Sequence, residues 1–542
     1  MPTYPLRGLG AGGIIKDIGP YNLPPQAWSA GNNVRFEHGR VRRSPGFRTV
    51  DASPSATPYF MFGANPSSAN DYILYTDASG NMYKYRGSHS DITPASGFTP
   101  TSSDQVFTGA FLDNCAYINR NTDVPYVLLD GATAVVPLTD YGWNADWRAG
   151  VIRSFSDFVI ALDVTKGATE YPNMVKWSSA VTGDGSPPAS WAETDTTILA
   201  GENPLPDLQG RLLDGRALKN SFMLYSNNDV WRMQQTSGRF VFRFERLFDD
   251  LGILGTNCVA EVDGLHYVFG EHDIYIHDGT RPQSIATGQV QDFVFQSMRK
   301  ELKKTFWVAR NPILKEVIFA YCANDGDANW INTSFPNRAA IFNYREQSWS
   351  FVDLPSVVGT AEIILANTTA WDDVTTTWDN TGGTWDGNSD EARTGLFMMS
   401  SANSTAGVST SSIYAYDTIE NGSVQKYPLD LDVIAPAYVE RQGYDLDDIL
   451  PGITINQHKN IDRLYPQARA FSDEPLNFKV GSSMTAWGDV TYGDTLTFNG
   501  ETQYKLDVRR GGRYLALHIS MDAPHDFWFS GADIGIKTRG RR

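Results

Sequence analysis

Cysteine is scarce in this chain: three thiols, Cys115, Cys258 and Cys322, stand far apart inside apolar phrases of a 542-residue sequence. An odd, sparse set excludes a disulfide framework, and without His/Cys ligand spacing it excludes structural zinc as well. The thiols are expected to be buried and free. Long apolar runs are also missing. No stretch of about 20 apolar residues could span a bilayer, and no apolar run follows a basic start as a secretory leader requires. The expectation is a chain made and folded in a reducing cytoplasm, with no membrane insertion of its own. Basic residues are in deficit, 45 against 62 acidic, for a net charge of −17. That argues against a surface built to grip phosphate, which needs clustered Lys and Arg.

Catalytic signatures are equally thin. A hydrolase needs a nucleophile beside a base, or paired carboxylates in a pocket. The eight histidines form no HExxH, and no GxSxG elbow occurs. Asp325-Gly326-Asp327 begins like a calcium loop but lacks the alternating ligands and terminal Glu, so it reads as a turn. The glycines from Gly8 to Gly13 have no preceding strand and no GKS/T, which excludes a phosphate loop. TDASGNMY at Thr76–Tyr83 only grazes the Ser-x-Asp-x-Gly-x-Thr-Trp turn of sialidase-like propellers, and nothing repeats it. No catalytic residue, metal ligand or cofactor is expected.

What the chain does have is a phrase that returns. Asp263 to Pro282, DGLHYVFGEHDIYIHDGTRP, reads as an apolar strand (Leu265 to Phe269), a polar turn around Gly270–Asp273, a second strand (Ile274 to Ile276) and an Asp278-Gly279 turn. Alternating β-formers bounded by Asp, Gly and Pro are the hairpin signal, and the turn residues supply the positive φ that closes it. Looser versions run over Asp71–Gly87, Asn114–Gly131, Asn220–Met233, Ala339–Val352 and Gly395–Asp417. A strand–turn–strand unit repeated roughly every 40–50 residues predicts a β-propeller. Trp177, ending a strand in EYPNMVKWSSA, is expected to pack between neighbouring sheets.

Three segments depart from the repeat. Residues 1–50 are rich in Gly and Pro, which predicts an extended arm with a small hairpin over Val34–Arg42, positively charged through Arg35, Arg40, Arg42 and Arg43. The propeller is expected over 51–425, with a helix near 289–304, where Val290, Phe293 and Val294 fall at i, i+3, i+4. That helix reads either as a filler between blades or as a basic element touching DNA or a partner. A turn-rich insertion near 365–394 carries Trp371, Trp378 and Trp385, which either pack on one another or form an aromatic sugar-binding patch at a receptor-facing tip. Residues 426–542 alternate without the hairpin phrase, predicting a C-terminal β-sandwich-like domain. The fold class expected is all-β: a propeller body, an extended N-terminal arm and that C-terminal domain.

The run GGIIKDIGPYNLPPQAWSAGNNVRFEHGRVRRSPGF, Gly12–Phe47, resembles the opening of the tail nozzle proteins of short-tailed bacteriophages, also called tail tubular protein B. In that family a similar opening of glycines, prolines, Asn, a short hairpin and Arg-x-Pro-Gly precedes a β-propeller. The resemblance implies a structural virion subunit: a homo-hexameric ring below a tail adaptor, forming the distal channel through which phage DNA passes without tight binding. It also implies assembly in the bacterial host cytoplasm, contact with the host cell surface, and tail fibre or tailspike neighbours. Onto this chain it carries an assembly role for Gly12, Gly13, Pro24, Pro25, Asn32, Asn33, Arg35, Phe36, Arg42, Arg43, Pro45 and Gly46. The alternative expectation is a glycan-binding propeller module of a phage tail, with the tryptophan insertion as its platform.

Overall fold

In the computed structural model, the described residues are 3–66, 71–94, 105–195, 197–236, 240–324, 333–363, 395–403, 408, 410–416, 436–446, 457–470, 475–522 and 526–539. Seven four-stranded antiparallel sheets appear among them, following one another along the chain. They are blade 1 (58–91), blade 2 (107–137), blade 3 (147–204), blade 4 (212–249), blade 5 (259–284), blade 6 (307–353) and blade 7 (357–415 with 48–51). Blade 5 shows how the sequence produces one. Val259–Val262 pairs with Leu265–Phe269 across Asp263-Gly264, both at positive φ (51° and 76°). A two-residue turn of that kind matches the right-handed twist of its strands. Leu265–Phe269 then pairs with Ile274–His277, which pairs with Pro282–Ser284 beyond Gly279 at φ 89°.

The ring follows from where apolar side chains go. Each blade is buried on both faces, and the hydrophobic clusters lie between neighbours: blades 1 and 2, 2 and 3, 3 and 4, 4 to 6, 6 and 7, and 7 back to 1. Trp177 of blade 3 meets the Phe242 ring of blade 4 edge-on at 5.2 Å, the inter-sheet position expected for it. Each such side chain contributes roughly 1.5–3 kcal/mol by burial. Closure is completed by chain from the far end: Arg48–Asp51 forms the outer strand of blade 7 against Ile413–Ala415. Phe47, just before it, packs on Tyr414 and Tyr416 at 5.6 Å each.

The C-terminal region forms the expected β-sandwich, but not by itself. One six-stranded sheet orders Val34–Glu37, Arg40–Arg43, Phe527–Arg539, His458–Ala470 and Leu506–Gly512, with Thr3–Arg7 also on Phe527–Arg539. The other orders Ala30–Asn32, Ala437–Tyr444, Tyr514–Met521, Leu476–Ser483 and Thr491–Tyr492, with Leu496–Phe498 on Leu476–Ser483. Four strands of the sandwich thus come from the first 43 residues. The hairpin expected in the arm is present, turning at His38-Gly39 with φ 51° and 70°. The arm differs from the extended segment read in the sequence because its strands find partners more than 400 residues away, a pairing no local pattern announces.

The helix is shorter than its periodicity suggests, Gln291–Ser297, followed by a 3₁₀ turn over Lys300–Thr305. Met298 leaves helical geometry (φ −77°, ψ 145°) to bridge Ala323, and Arg299 N–H donates to Cys322 O at 2.8 Å. Blade 6 recruits the backbone that would have continued the helix. All three cysteines are buried and free, and burial pushes the Cys115 and Cys322 thiols up to about 12.

Candidate functional site

Most of the arm residues expected to meet a partner meet the chain's own two bodies instead. Gly13 (φ 65°) passes so close to blade 6 that a Cβ would lie 2.9 Å from Ser348 Cβ and Trp349 N, and a Cβ on Gly12 would lie 2.8 Å from Ala27 Cα. Ile14 N–H, next along, donates to Trp349 O at 2.9 Å. Asn32 and Asn33 are buried; their side-chain amides donate to Asp353 Oδ2 at 2.6 and 3.2 Å. Arg35, 3% exposed, sits between Glu37 (3.3 Å) and the buried Glu316 of blade 6 (3.4 Å). Phe36 is buried in the sandwich core, and Pro45 is buried where the chain turns toward blade 7, with Gly46 half-buried beside it. Arg42 bridges Glu37 (2.8 Å) and Asp526 (2.5 Å), and Arg43 donates to Met521 O at 3.4 Å. Pro24 and Pro25 alone of the set are exposed.

The arm also finishes the helix. No side chain of the helix's own chain neighbourhood caps Gln291–Ser297. The Asp17 carboxylate accepts from the N–H groups of Asp292 (3.0 Å) and Phe293 (3.1 Å), and Lys16 Nζ lies 4.7 Å from the centre of the Phe293 ring. A carboxylate there satisfies two orphan donors and complements the helix dipole.

The second feature is the axial channel, a cavity of about 260 Å³ to which the first strand of every blade contributes. Its wall has two halves. Blades 1 and 2 present rings: Phe60 stacks on Phe107 at 5.9 Å and lies 6.0 Å from Phe62, while Tyr59 meets Phe107 edge-on at 5.7 Å. Gly109 makes room, since a Cβ there would fall 2.6 Å from the Phe62 ring. Blades 3 to 7 present charge. Arg153 makes a two-pronged contact with Asp214 (2.8 and 3.0 Å), and Arg310 pairs with Glu362 at 2.8 Å and Glu261 at 3.6 Å. Between them Arg216 is exposed to the channel's solvent and has no ion-pair partner among the described residues. Enclosure, then Arg153, lowers its affinity for a proton; Asp214 and Glu261 work against that shift and Arg310 adds to it.

Blades 4 and 5 share a buried polar chain. Tyr225 Oη lies 2.6 Å from His266 Nδ1 and 2.7 Å from His277 Nε2. Ala217 O accepts from His266 Nε2 at 2.8 Å, and Gly279 N–H donates to His277 Nδ1 at 3.2 Å. Those ends fix the tautomers: His277 Nε2–H donates to Tyr225, whose hydroxyl donates to His266 Nδ1. Burial pushes His266 down to about 3 and His277 to about 4. The chain has the form of a structural lock, with both imidazoles neutral.

Trp371, Trp378, Trp385 and Asp325–Asp327 lie outside the described residues. Among the described residues no group of three or more His, Cys, Asp or Glu could hold a metal ion, and no helix is long and apolar enough to cross a membrane. The channel charges escaped the sequence reading, although a signal existed: an arginine interrupts the apolar first strand in VIRSF, DGRAL and VARN.

No family model matches the chain, and no curated protein matches its sequence. Solved structures with a similar fold include the WD40 β-propeller domain of Doa1, at 10% identity over 69% of this chain and 98% of that one, TM-score 0.36. The Neurospora crassa Pan2 WD40 domain is similar at 8% identity over 69% of this chain and 96% of that one, TM-score 0.36.

Proposed function

We propose that the chain is a non-catalytic structural subunit of a short-tailed phage tail, a nozzle protein that assembles with further copies below a tail adaptor. The observation that carries this is the role of the arm. Residues of Gly12–Phe47 on which the resemblance rests join propeller to sandwich: the close approach at Gly13, the buried amides of Asn32 and Asn33, the Arg35–Glu316 ion pair. A motif spent on holding two bodies at one angle suits a load-bearing subunit, where a loose joint would defeat assembly.

The proposal constrains the DNA path. A duplex whose major groove alone is about 12 Å wide cannot thread a single propeller's cavity of about 260 Å³. The conduit would run between subunits, around a ring axis, and the propeller channels would lie in its wall. A net charge of −17 per copy, multiplied around such a ring, would repel phosphate and let DNA slide. Electron microscopy of the purified protein, with mass measurement of the particle, is the test. A closed ring of about six copies with an open bore fits the proposal. A monomer that stays single when mixed with tail adaptor, and binds on a glycan array, would replace it with the receptor-binding reading.

A further inference from the structure

The axial channel pairs two chemistries that a plain structural hub does not need. Water-filled propeller axes can be lined by any small polar residues. Here one side of a single cavity is a shelf of phenylalanines and the other carries three guanidinium groups. Two of the three are committed, Arg153 to Asp214 and Asn257 (2.7 Å), Arg310 to Glu362 and Glu261. The ion-pair chain therefore passes from blade 3 to blade 4 and from blades 5 and 6 to blade 7, and skips Arg216 between them. Arg216 lies between Arg153 and Arg310 and makes no ion pair among the described residues; the carboxylates near enough to act on it, Asp214 and Glu261, are the ones those two arginines hold. An unpaired positive charge held among like charges and low-dielectric walls attracts an anion strongly. Opposite it, Phe60 and Phe62 are only partly buried, and Gly109 leaves the Phe62 ring room to lie against blade 2.

We propose that the channel is a binding site for a small organic anion with a flat apolar body, its carboxylate or phosphate on Arg216 and its ring on the Phe60–Phe62 shelf. Size limits the ligand, because about 260 Å³ is just below the range of drug-sized pockets, roughly 300–1,000 Å³. One or two fused rings with a single anionic group fit, and an oligomer does not. Guanidinium recognises carboxylate and phosphate alike through parallel N–H donors, so the two headgroups are one chemistry here. The ring and the charge are both required: neither half of the wall alone accounts for the other. The site is a property of one propeller and stands or falls apart from the tail assignment.

The experiment is calorimetric titration of the full-length protein with 2-naphthoate, its neutral analogue 2-naphthamide, and inorganic phosphate. One naphthoate per chain is expected, with the amide and phosphate each weaker by about tenfold or more, the equivalent of one good interaction. Arg216→Gln should weaken naphthoate by about tenfold and leave the thermal midpoint unchanged, since Arg216 makes no ion pair among the described residues; Arg216→Lys should keep most of the binding. Phe62→Ala should lower naphthoate affinity while leaving the weak phosphate binding as it was. No naphthoate binding, equal binding of the amide, equal binding of phosphate, or indifference to Arg216→Gln would each overturn the proposal.

Discussion

Asn33 and Asp353, 320 positions apart, hydrogen-bond to each other in both directions: Asp353 N–H donates to Asn33 Oδ1 at 3.0 Å, and Asn33 Nδ2 donates to Asp353 Oδ2 at 3.2 Å. Asn33 holds φ at 56°, a left-handed conformation that asparagine tolerates better than other side-chained residues. The pair fixes the last strand of blade 6 to the sandwich between Ala30–Asn32 and Val34–Glu37, and Asn32 adds a further bond to the same carboxylate oxygen. Beside it the propeller and the sandwich share one continuous apolar core.

Asp353→Ala should therefore destabilise the protein well beyond an ordinary surface change. It takes the carboxylate away from the buried amides of Asn32 and Asn33, of which Asn33 keeps Pro436 O at 3.1 Å, at a cost of about 1–3 kcal/mol for a group left unsatisfied. Equilibrium urea unfolding would show a lower midpoint. A shift too small to measure would mean that water takes over both amides and that the joint is looser than its geometry indicates.

Removal of residues 1–51 deletes the closing strand of blade 7 along with four strands of the sandwich. The expected product is insoluble or lacks a cooperative transition. An opened ring exposes the edge of Ile413–Ala415, and an exposed edge pairs with other chains. A soluble truncated protein with native circular dichroism and a sharp melt would mean that the propeller closes without Arg48–Asp51.

Much of this architecture could be read from the sequence, and the missing part has a physical cause. The repeated phrase located the middle hairpins of blades 1, 2, 4, 5 and 7 and the outer hairpin of blade 6, because their strands are buried on one pattern and turned by Asp, Asn and Gly. Blade number was hidden by the outer strands. Pro282–Ser284 is exposed throughout, and Arg48–Asp51 is half-buried at every position, so neither carries an alternation to detect. The arm was legible as a special segment through Gly13 and the Val34–Arg43 hairpin, whereas its partners were not. Pairing across 400 residues depends on a fold already formed. Arg216 was invisible as a site because only the ring brings Arg153, Arg310 and the Phe60 shelf round one axis.

Gly279→Val tests the repeated phrase directly. Its φ of 89° is costly for any side chain, by roughly 1–2 kcal/mol, and a β-branched residue is among the least tolerant. A Cβ there would also press on Met223 Cε at 3.3 Å. Thermal unfolding should drop by several degrees. An unchanged midpoint would mean that the Asp278-Gly279 turn relaxes without cost to blade 5.

The Tyr225 chain predicts a pH dependence of defined sign. His266 and His277 have folded-state values near 3 and 4, below their ordinary 6.5. Unfolding then takes up protons, so stability is full above pH 6.5 and falls as the pH drops from there toward 4. Proton NMR of the imidazoles should find both still neutral at pH 5.5, where urea midpoints have already begun to decline. Tyr225→Phe leaves His277 Nε2–H and His266 Nδ1 without partners and should cost about 1–3 kcal/mol at pH 7. Ordinary titration of either imidazole near 6.5 would count against the lock.

The last prediction concerns DNA. The sequence has three basic clusters that could have formed a phosphate grip, and in the fold described members of each are engaged with groups of the chain itself. In the first, Arg42 is held by Glu37 and Asp526, and Arg40 lies over the Trp528 ring at 4.7 Å. In the second, Arg299 pairs with Glu301 at 3.0 Å and Lys303 with Glu271 at 3.3 Å. In the third, Lys537 pairs with Asp462 at 2.7 Å. A phosphate would have to displace carboxylates already in place, and the net charge of −17 opposes its approach. Non-specific binders show dissociation constants of about 10⁻⁴ to 10⁻⁶ M at physiological salt, supplied almost wholly by free Lys and Arg. Purified protein should accordingly give no duplex gel shift at micromolar concentration under those conditions. A shift that appears there and fades steeply with added salt would identify phosphate binding as a primary role and remove the argument for a non-adhesive wall.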